Sequence, residues 1–240
     1  MTGAVAGGIL AGAALTAGGC AYAAMWPTSQ LFGRTLIAPA RRGEIALTFD
    51  DGPNPAWTPR LLELLDRHAV KATFFLVGKY ASKEPALTRF ITDAGHIVGN
   101  HTWSHPNLAL TAPGRVREEL RATRDSLEQI TGKPVRFFRP PFGARRPDVL
   151  RAARELGMAP VLWNAMTSDW KEPSAERIAD ALARKIEAAT HYGRAANVVL
   201  HDGGHQELGA DRGPSVTAAG LLLERFATSH RFVTVDEWQE

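Results

Sequence analysis

Cysteine is all but missing from this 240-residue chain. Cys20 stands alone, which excludes an internal disulfide and a thiolate zinc site, so any metal must be held by His and carboxylate. A surplus of one charge is missing too: 28 Lys and Arg offset 25 Asp and Glu, leaving a net charge of +3. What surplus exists is mostly Arg spread along helical stretches, as at Arg115, Arg117, Arg121 and Arg124. A nucleic-acid surface calls for a clustered basic stripe with interleaved aromatics, and the sequence has none. Beyond the N-terminus there is no internal repeat and no low-complexity run. The length supports one substantial α/β domain and not comfortably two.

One stretch lacks charge altogether. No charged side chain occurs between Met1 and Arg34, and Ala4 to Trp26 is rich in Ala, Gly and Leu. At about 1.5 Å per helical residue that run is long enough to span a bilayer, although its glycines make it a mediocre helix. Residues 1–33 are therefore expected to be an export signal or an uncleaved membrane anchor, 34–43 a linker, and 44–240 the folded domain. The stretch lacks the positive start usual in a signal. Its first positives, Arg34, Arg41 and Arg42, lie on the side that the positive-inside tendency disfavours for export. Cys20 follows Ala17-Gly18-Gly19, without the leucine usual three residues before a lipidated cysteine. The expectation is a protein exported and tethered on the outer side of the cytoplasmic membrane, or secreted if the segment is cleaved.

From Glu44 onward, strand-like and helix-like stretches alternate. The strand readings are Ile45–Phe49, Ala72–Val77, His96–Asn100, Val135–Phe138, Ala159–Trp163, Asn197–His201 and Arg231–Val235. Between them lie helical stretches at Thr58–His68, Glu84–Ala94, Thr111 to about Ile130, Pro147–Leu156, Ser174–Thr190 and Pro214–Thr228. Repeated βα units of this length favour a mainly parallel sheet with right-handed crossovers, either an incompletely closed barrel or an open doubly wound sheet.

The chemistry gathers just past the predicted strand ends. Thr48-Phe49-Asp50-Asp51-Gly52 places two adjacent carboxylates after the first strand. His101-Thr102-Trp103-Ser104-His105 holds two imidazoles four residues apart. Taken singly, an Asp-Asp-Gly after a strand is most often a turn, and an isolated pair of histidines is most often solvated or packed in a core. Together they form a minimal kit for metal-assisted hydrolysis: three O/N ligands that leave coordination positions open, with an extra carboxylate as base. Further polar groups follow at Arg139-Pro140-Pro141-Phe142-Gly143, Ser168-Asp169-Trp170 and His201-Asp202-Gly203, each after an apolar run. The carboxyl edge of a parallel sheet is where such groups converge.

These five motifs, in this order, resemble the polysaccharide deacetylases with a NodB-like domain, metal-dependent carbohydrate esterases. The resemblance covers roughly Glu44 to Trp238. It implies a distorted, incompletely closed (β/α) barrel of about seven strands for the catalytic domain, 44–240. It also implies that Asp51, His101 and His105 hold a divalent metal, most plausibly Zn²⁺, with Co²⁺, Ni²⁺ or Mn²⁺ also suited to the donor set. Asp50 would be the base, oriented by Arg139. The backbone N–H of Phe142 would donate to the oxyanion, at a place where many relatives carry Tyr. His201 would be the general acid, paired with Asp169. Trp170 and Leu200 would wall the pocket for the acetyl methyl group. The sequence departs from the pattern at Met166, where relatives commonly have another Asp three residues before Asp169.

Trp103 and Trp163 are candidates for stacking on sugar rings, with core packing the stronger reading for Trp163. His191 and His205 are read as solvent-facing, although His205 is close enough in sequence to the fifth motif to edge the cleft. The implied reaction is removal of N-acetyl groups from N-acetylglucosamine units of a polysaccharide such as peptidoglycan or a chitin-like oligomer, by a monomer. The alternatives are O-deacetylation of an acetylated xylan or similar glycan, and a catalytically silent glycan-binding domain.

Overall fold

The computed structural model describes residue 19 and residues 22–239. The expected signal or anchor and the reading of Cys20 therefore lie mostly outside the described residues. Among the described residues, no helix is long and apolar enough to cross a membrane.

The sheet is parallel throughout. Its strands are β1 (Glu44–Asp50), β2 (Thr73–Leu76), β3 (Ile97–Asn100), β4 (Phe137–Phe138), β5 (Ala159–Pro160), β6 (Ala165–Met166), β7 (Ala196–His201) and β8 (Arg231–Val233). Seven follow one another in the order β5-β4-β3-β2-β1-β7-β6, and β8 pairs with β1 through Glu44, Ile45 and Ala46. Six longer helices connect them: α1 (Thr58–Arg67), α2 (Pro85–Asp93), α3 (Pro113–Thr131), α4 (Pro147–Glu155), α5 (Ala175–His191) and α6 (Gly213–Phe226). The curled, half-closed barrel agrees with the architecture the motifs imply.

Local chemistry explains the boundaries. Five of the six helices carry proline at the first or second helical position, where a missing N–H costs nothing. Helix α5 starts instead at Ser174, whose hydroxyl accepts the Arg177 N–H. Helix α3 stops at Gly132, which takes a left-handed φ of 67° open to glycine at little cost.

Strand alternation sorts the side chains into two cores. On β1, Ile45, Leu47 and Phe49 face the helices, and on β7 so do Ala196, Val198 and Leu200; all belong to the larger apolar cluster. Ala46 faces the barrel interior with Phe75, Phe137, Val161, Val233 and Trp238. A fully buried Leu or Phe contributes on the order of 2 kcal/mol, so the helix-facing layer supplies most of the apolar stabilisation. The interior can therefore host polar residues higher up, where Thr48, Asp50 and Asn197 sit.

The stretch expected to be a linker is correctly described as part of the sheet's closure. Leu36 forms a parallel bridge with Val161, and its N–H and C=O bond Pro160 and Leu162 at 2.8 and 2.7 Å. The Asn197 amide donates to the Ile37 carbonyl at 2.9 Å. The apolar Leu36-Ile37-Ala38 run satisfies an edge that the barrel strands leave unpaired.

Candidate active site

Each motif leaves the carboxyl end of its strand. Asp50 is the last residue of β1 and pairs in register with His201, the last residue of β7, so two titratable groups stand side by side on neighbouring strands. His101 follows β3, and Arg139 follows β4. Asp51, Thr102, His105 and Phe142 all have positive φ, between 58° and 71°. Non-glycine residues held this way store strain of about 1–3 kcal/mol each, and here three of them, Asp51, His105 and Phe142, line one cleft. Close packing helps to hold them: a Cβ added at Gly203 would lie 2.2 Å from the Asp51 carbonyl oxygen. The motif-one and motif-five turns thus touch backbone to backbone.

Three ligand atoms converge at Asp51. Its buried Oδ1 lies 3.1 Å from His105 Nε2 and 3.5 Å from His101 Nε2, and it has no hydrogen-bond partner. Ligand-capable atoms of these three residues lie within 4.8 Å of one another. A buried oxygen facing two imidazole nitrogens without a shared proton suits a divalent cation. The His101 Nδ1 is 2.8 Å from the Arg139 carbonyl, to which it donates, leaving Nε2 as the free lone pair. Burial pushes the His101 imidazole down to about 4, against the pull of Asp50, so it is neutral as a ligand must be. Burial works against ionisation of Asp51. Contacts with His105 and His205 outweigh it and hold the carboxyl well below the usual range.

The groups expected to transfer protons are paired within the protein. Arg139, fully buried, donates from Nη1 to Asp50 Oδ1 at 2.8 Å and to the Thr48 hydroxyl at 2.7 Å. Its guanidinium lies 4.1 Å from the Phe75 ring centroid and 5.7 Å from that of Trp163. Across the cleft, His201 Nδ1 donates to Asp169 Oδ1 at 2.9 Å, and its backbone N–H donates to Oδ2 at 2.8 Å. Ser215 adds a third bond to Asp169, at 2.7 Å. Burial disfavours the His201 cation, but Asp169, with smaller help from Asp51 and Asp50, lifts its pKa to about 9. The ring is therefore protonated at neutral pH.

Residues 38–161 match the family model for polysaccharide deacetylase. The chain belongs to the polysaccharide deacetylase family. It is 43% identical to a peptidoglycan-N-acetylglucosamine deacetylase of Bacillus cereus over 58% of this chain, an alignment spanning about half (51%) of that relative. It is 34% identical to a chitooligosaccharide deacetylase of Azorhizobium caulinodans, over 72% of this chain and 80% of the relative. Among solved structures, the Bc1960 peptidoglycan N-acetylglucosamine deacetylase superposes with a TM-score of 0.75 at 34% identity, over 85% of this chain and 91% of the other. A CE4 family pseudoenzyme from Bacillus anthracis superposes with the same TM-score at 27% identity, over 85% and 68%. The fold alone therefore does not certify turnover, and the side chains must.

Within this polysaccharide deacetylase fold the seven catalytic and metal-ligand positions expected from sequence converge. The family match holds the first three motifs, whereas Asp169 and His201 lie beyond it, and their pairing comes from the structure. Phe142 and Trp170 line a cleft of about 250 Å³ with Asp50, Asp51, His101, His105 and His201. Trp170 packs edge-on to His201 at 5.0 Å.

Leu200 corrects the sequence reading: it is fully buried in the helix-facing core, and Val199 lines the cleft instead. The period-two alternation of a strand sends Leu200 away from its neighbour His201. Trp163 packs in a core cluster with Leu162 and Val199, as the stronger reading expected, and also edges the cleft. Trp103 is absent from the lining and packs over Gly78, where a Cβ would meet its ring at 2.6 Å. Met166 borders the cleft from β6.

The sequence reading missed Thr48 and Asn197, the buried polar partners beneath Arg139. Their signal was a polar residue inside each apolar strand. It also passed over Asp202, which accepts a bond from the Thr58 hydroxyl under the motif-one turn.

Proposed function

We propose that this chain is a metal-dependent hydrolase that removes N-acetyl groups from N-acetylglucosamine units of a polysaccharide, peptidoglycan or a chitin-like oligomer, and releases acetate. One observation carries the reading: adjacent carboxylates have been given separate tasks. Asp50 is tied to Arg139, whereas Asp51 turns an unpartnered oxygen toward the Nε2 atoms of His101 and His105. A carboxylate whose lone pair is committed to a metal ion cannot also take a proton, so a second one must serve as the base.

Asp51, His101 and His105 would hold the ion, and one oxygen with two imidazole nitrogens favours Zn²⁺. Such an ion would supply Lewis acidity, polarising the acetyl carbonyl and making water more acidic. Asp50, fixed by Arg139, takes the proton from the attacking water. The protonated His201, oriented by Asp169, delivers a proton to the departing amine nitrogen. Trp170, Phe142, Trp163 and Val199 give the acetyl group apolar walls.

The uncharged run before Arg34 supports export and tethering on the outer side of the cytoplasmic membrane. Fractionation of the full chain tests this, and recovery only from the cytosol would overturn it. The chemistry is tested by acetate release from N-acetylglucosamine oligomers, peptidoglycan and acetylxylan, after chelation and after Zn²⁺ or Co²⁺ is restored. Metal-restored acetate from an amino-sugar polymer is the expected result. Restoration on acetylxylan alone would make the chain an O-deacetylase. Silence on all three with metal bound would favour the glycan-binding reading.

A further inference from the structure

The two imidazoles of the metal cluster are held in different ways. His101 is fixed through its far nitrogen by the Arg139 carbonyl. His105 has no equivalent, because its Nδ1 is buried without a hydrogen bond. Rings hold it instead: His205 stacks on it with centroids 4.3 Å apart and planes 19° apart, and Phe142 meets it edge-on at 4.7 Å.

His205 reaches the other ligand as well. Its Nδ1 lies 3.6 Å from Asp51 Oδ2, the oxygen opposite the one facing His101 and His105. The residue is anchored from behind, since its carbonyl accepts bonds from Lys79 Nζ and Tyr80 Oη, each at 3.0 Å. Yet His205 does not belong to the convergent ligand cluster. Its position is that of a partner to ligands, which fixes their orientation without touching the ion.

We propose that His205 is a positioning residue of the metal centre, aligning Asp51 through its second oxygen and immobilising His105 by stacking. The proposal rests on the reading of Asp51, His101 and His105 as the ligands. It gives His105 the restraint that the Arg139 carbonyl gives His101.

The test is Zn²⁺ and Co²⁺ affinity of the full chain by chelator competition, with thermal unfolding of the metal-free protein read alongside. His205→Ala should weaken binding about 10-fold, the lower end of the range for such partners. His205→Gln, which keeps a polar group toward Asp51, and His205→Phe, which keeps the stack, should each recover part of the loss. Metal-free unfolding temperatures should match the wild type. His105→Ala is the control on the underlying reading: if it binds metal normally, the ligand assignment has failed and not merely the role of His205. Affinity in His205→Ala within about twofold of wild type, below the range for outer partners, would reduce His205 to a cleft wall and overturn the proposal. So would an equal loss of metal-free stability in all three variants, which would assign the residue to loop folding. A changed ligand count in the Co²⁺ absorption spectrum would make His205 a ligand and overturn it equally.

Discussion

Asp50 and Asp51 are neighbours in the chain, and both are almost fully buried, but the protein treats them differently. Asp50 receives a charged hydrogen bond from Arg139. Across the cleft His201 is likewise satisfied by Asp169, itself held by three donors. Asp51 Oδ1 and His105 Nδ1 are buried without hydrogen bonds, and the backbone around them takes left-handed angles. A buried polar atom without a partner costs about 1–3 kcal/mol. The proposed proton-transfer half is thus completed by protein groups, whereas Asp51 Oδ1 in the proposed metal half would find its partner in an ion. The first can be preorganised in the fold alone. The second couples folding stability to metal supply.

Asp50→Asn should break the first half and spare the second. Turnover should fall by about 10²- to 10⁴-fold, the usual worth of a general base, with metal affinity retained. A parallel loss of metal affinity in a binding titration would show that the halves are not separable. Asp51→Asn probes the other half through stability. Metal at about 100 times its dissociation constant should stabilise the wild type and Asp50→Asn by about 2.7 kcal/mol, but Asp51→Asn far less. An equal thermal shift in all three proteins would place the ion elsewhere.

Asp169→Asn sharpens the contrast through pH. The folded-state pKa of His201, about 9, lies above its ordinary 6.5. The ion pair therefore stabilises the wild type fully below about pH 6.5, and this contribution is lost as pH rises through 9. The stability gap between wild type and Asp169→Asn should narrow over that window, and the basic limb of the kcat/KM profile should move to lower pH. A gap that is flat across the window would remove His201 as the protonated partner. The smallest effect belongs to Phe142→Tyr. It keeps a half-exposed ring against His105, so stability measured by denaturant should stay within about 0.5 kcal/mol.

Much of this was legible because the motifs sit where local rules operate. Helical stretches opening at Pro147, Ser174 and Pro214 were legible, and apolar runs marked seven strands. Strand Ala165–Met166 was not legible, because two residues between a tryptophan and a polar loop carry no periodicity. Leu200 was misplaced although its signal was present. If His201 faces the cleft, strand alternation forbids its immediate neighbour from doing so. Leu36 looked like linker because its partner, Val161, lies far along the chain. His205 was read as solvent-facing or edging the cleft, and its stacking on His105 was not legible because that partner precedes it by a hundred residues.

By itself the sequence determined the α/β class, the order of elements and the identities of the groups that can bind a metal or move a proton. Those depend on side-chain chemistry and on periodicities of a few residues. The tertiary structure alone decided which carboxylate has a partner, which face of β7 meets the cleft and which ring steadies His105. Each of these depends on distances between segments remote in sequence, and only the parallel register of β1, β7 and their neighbours sets those distances.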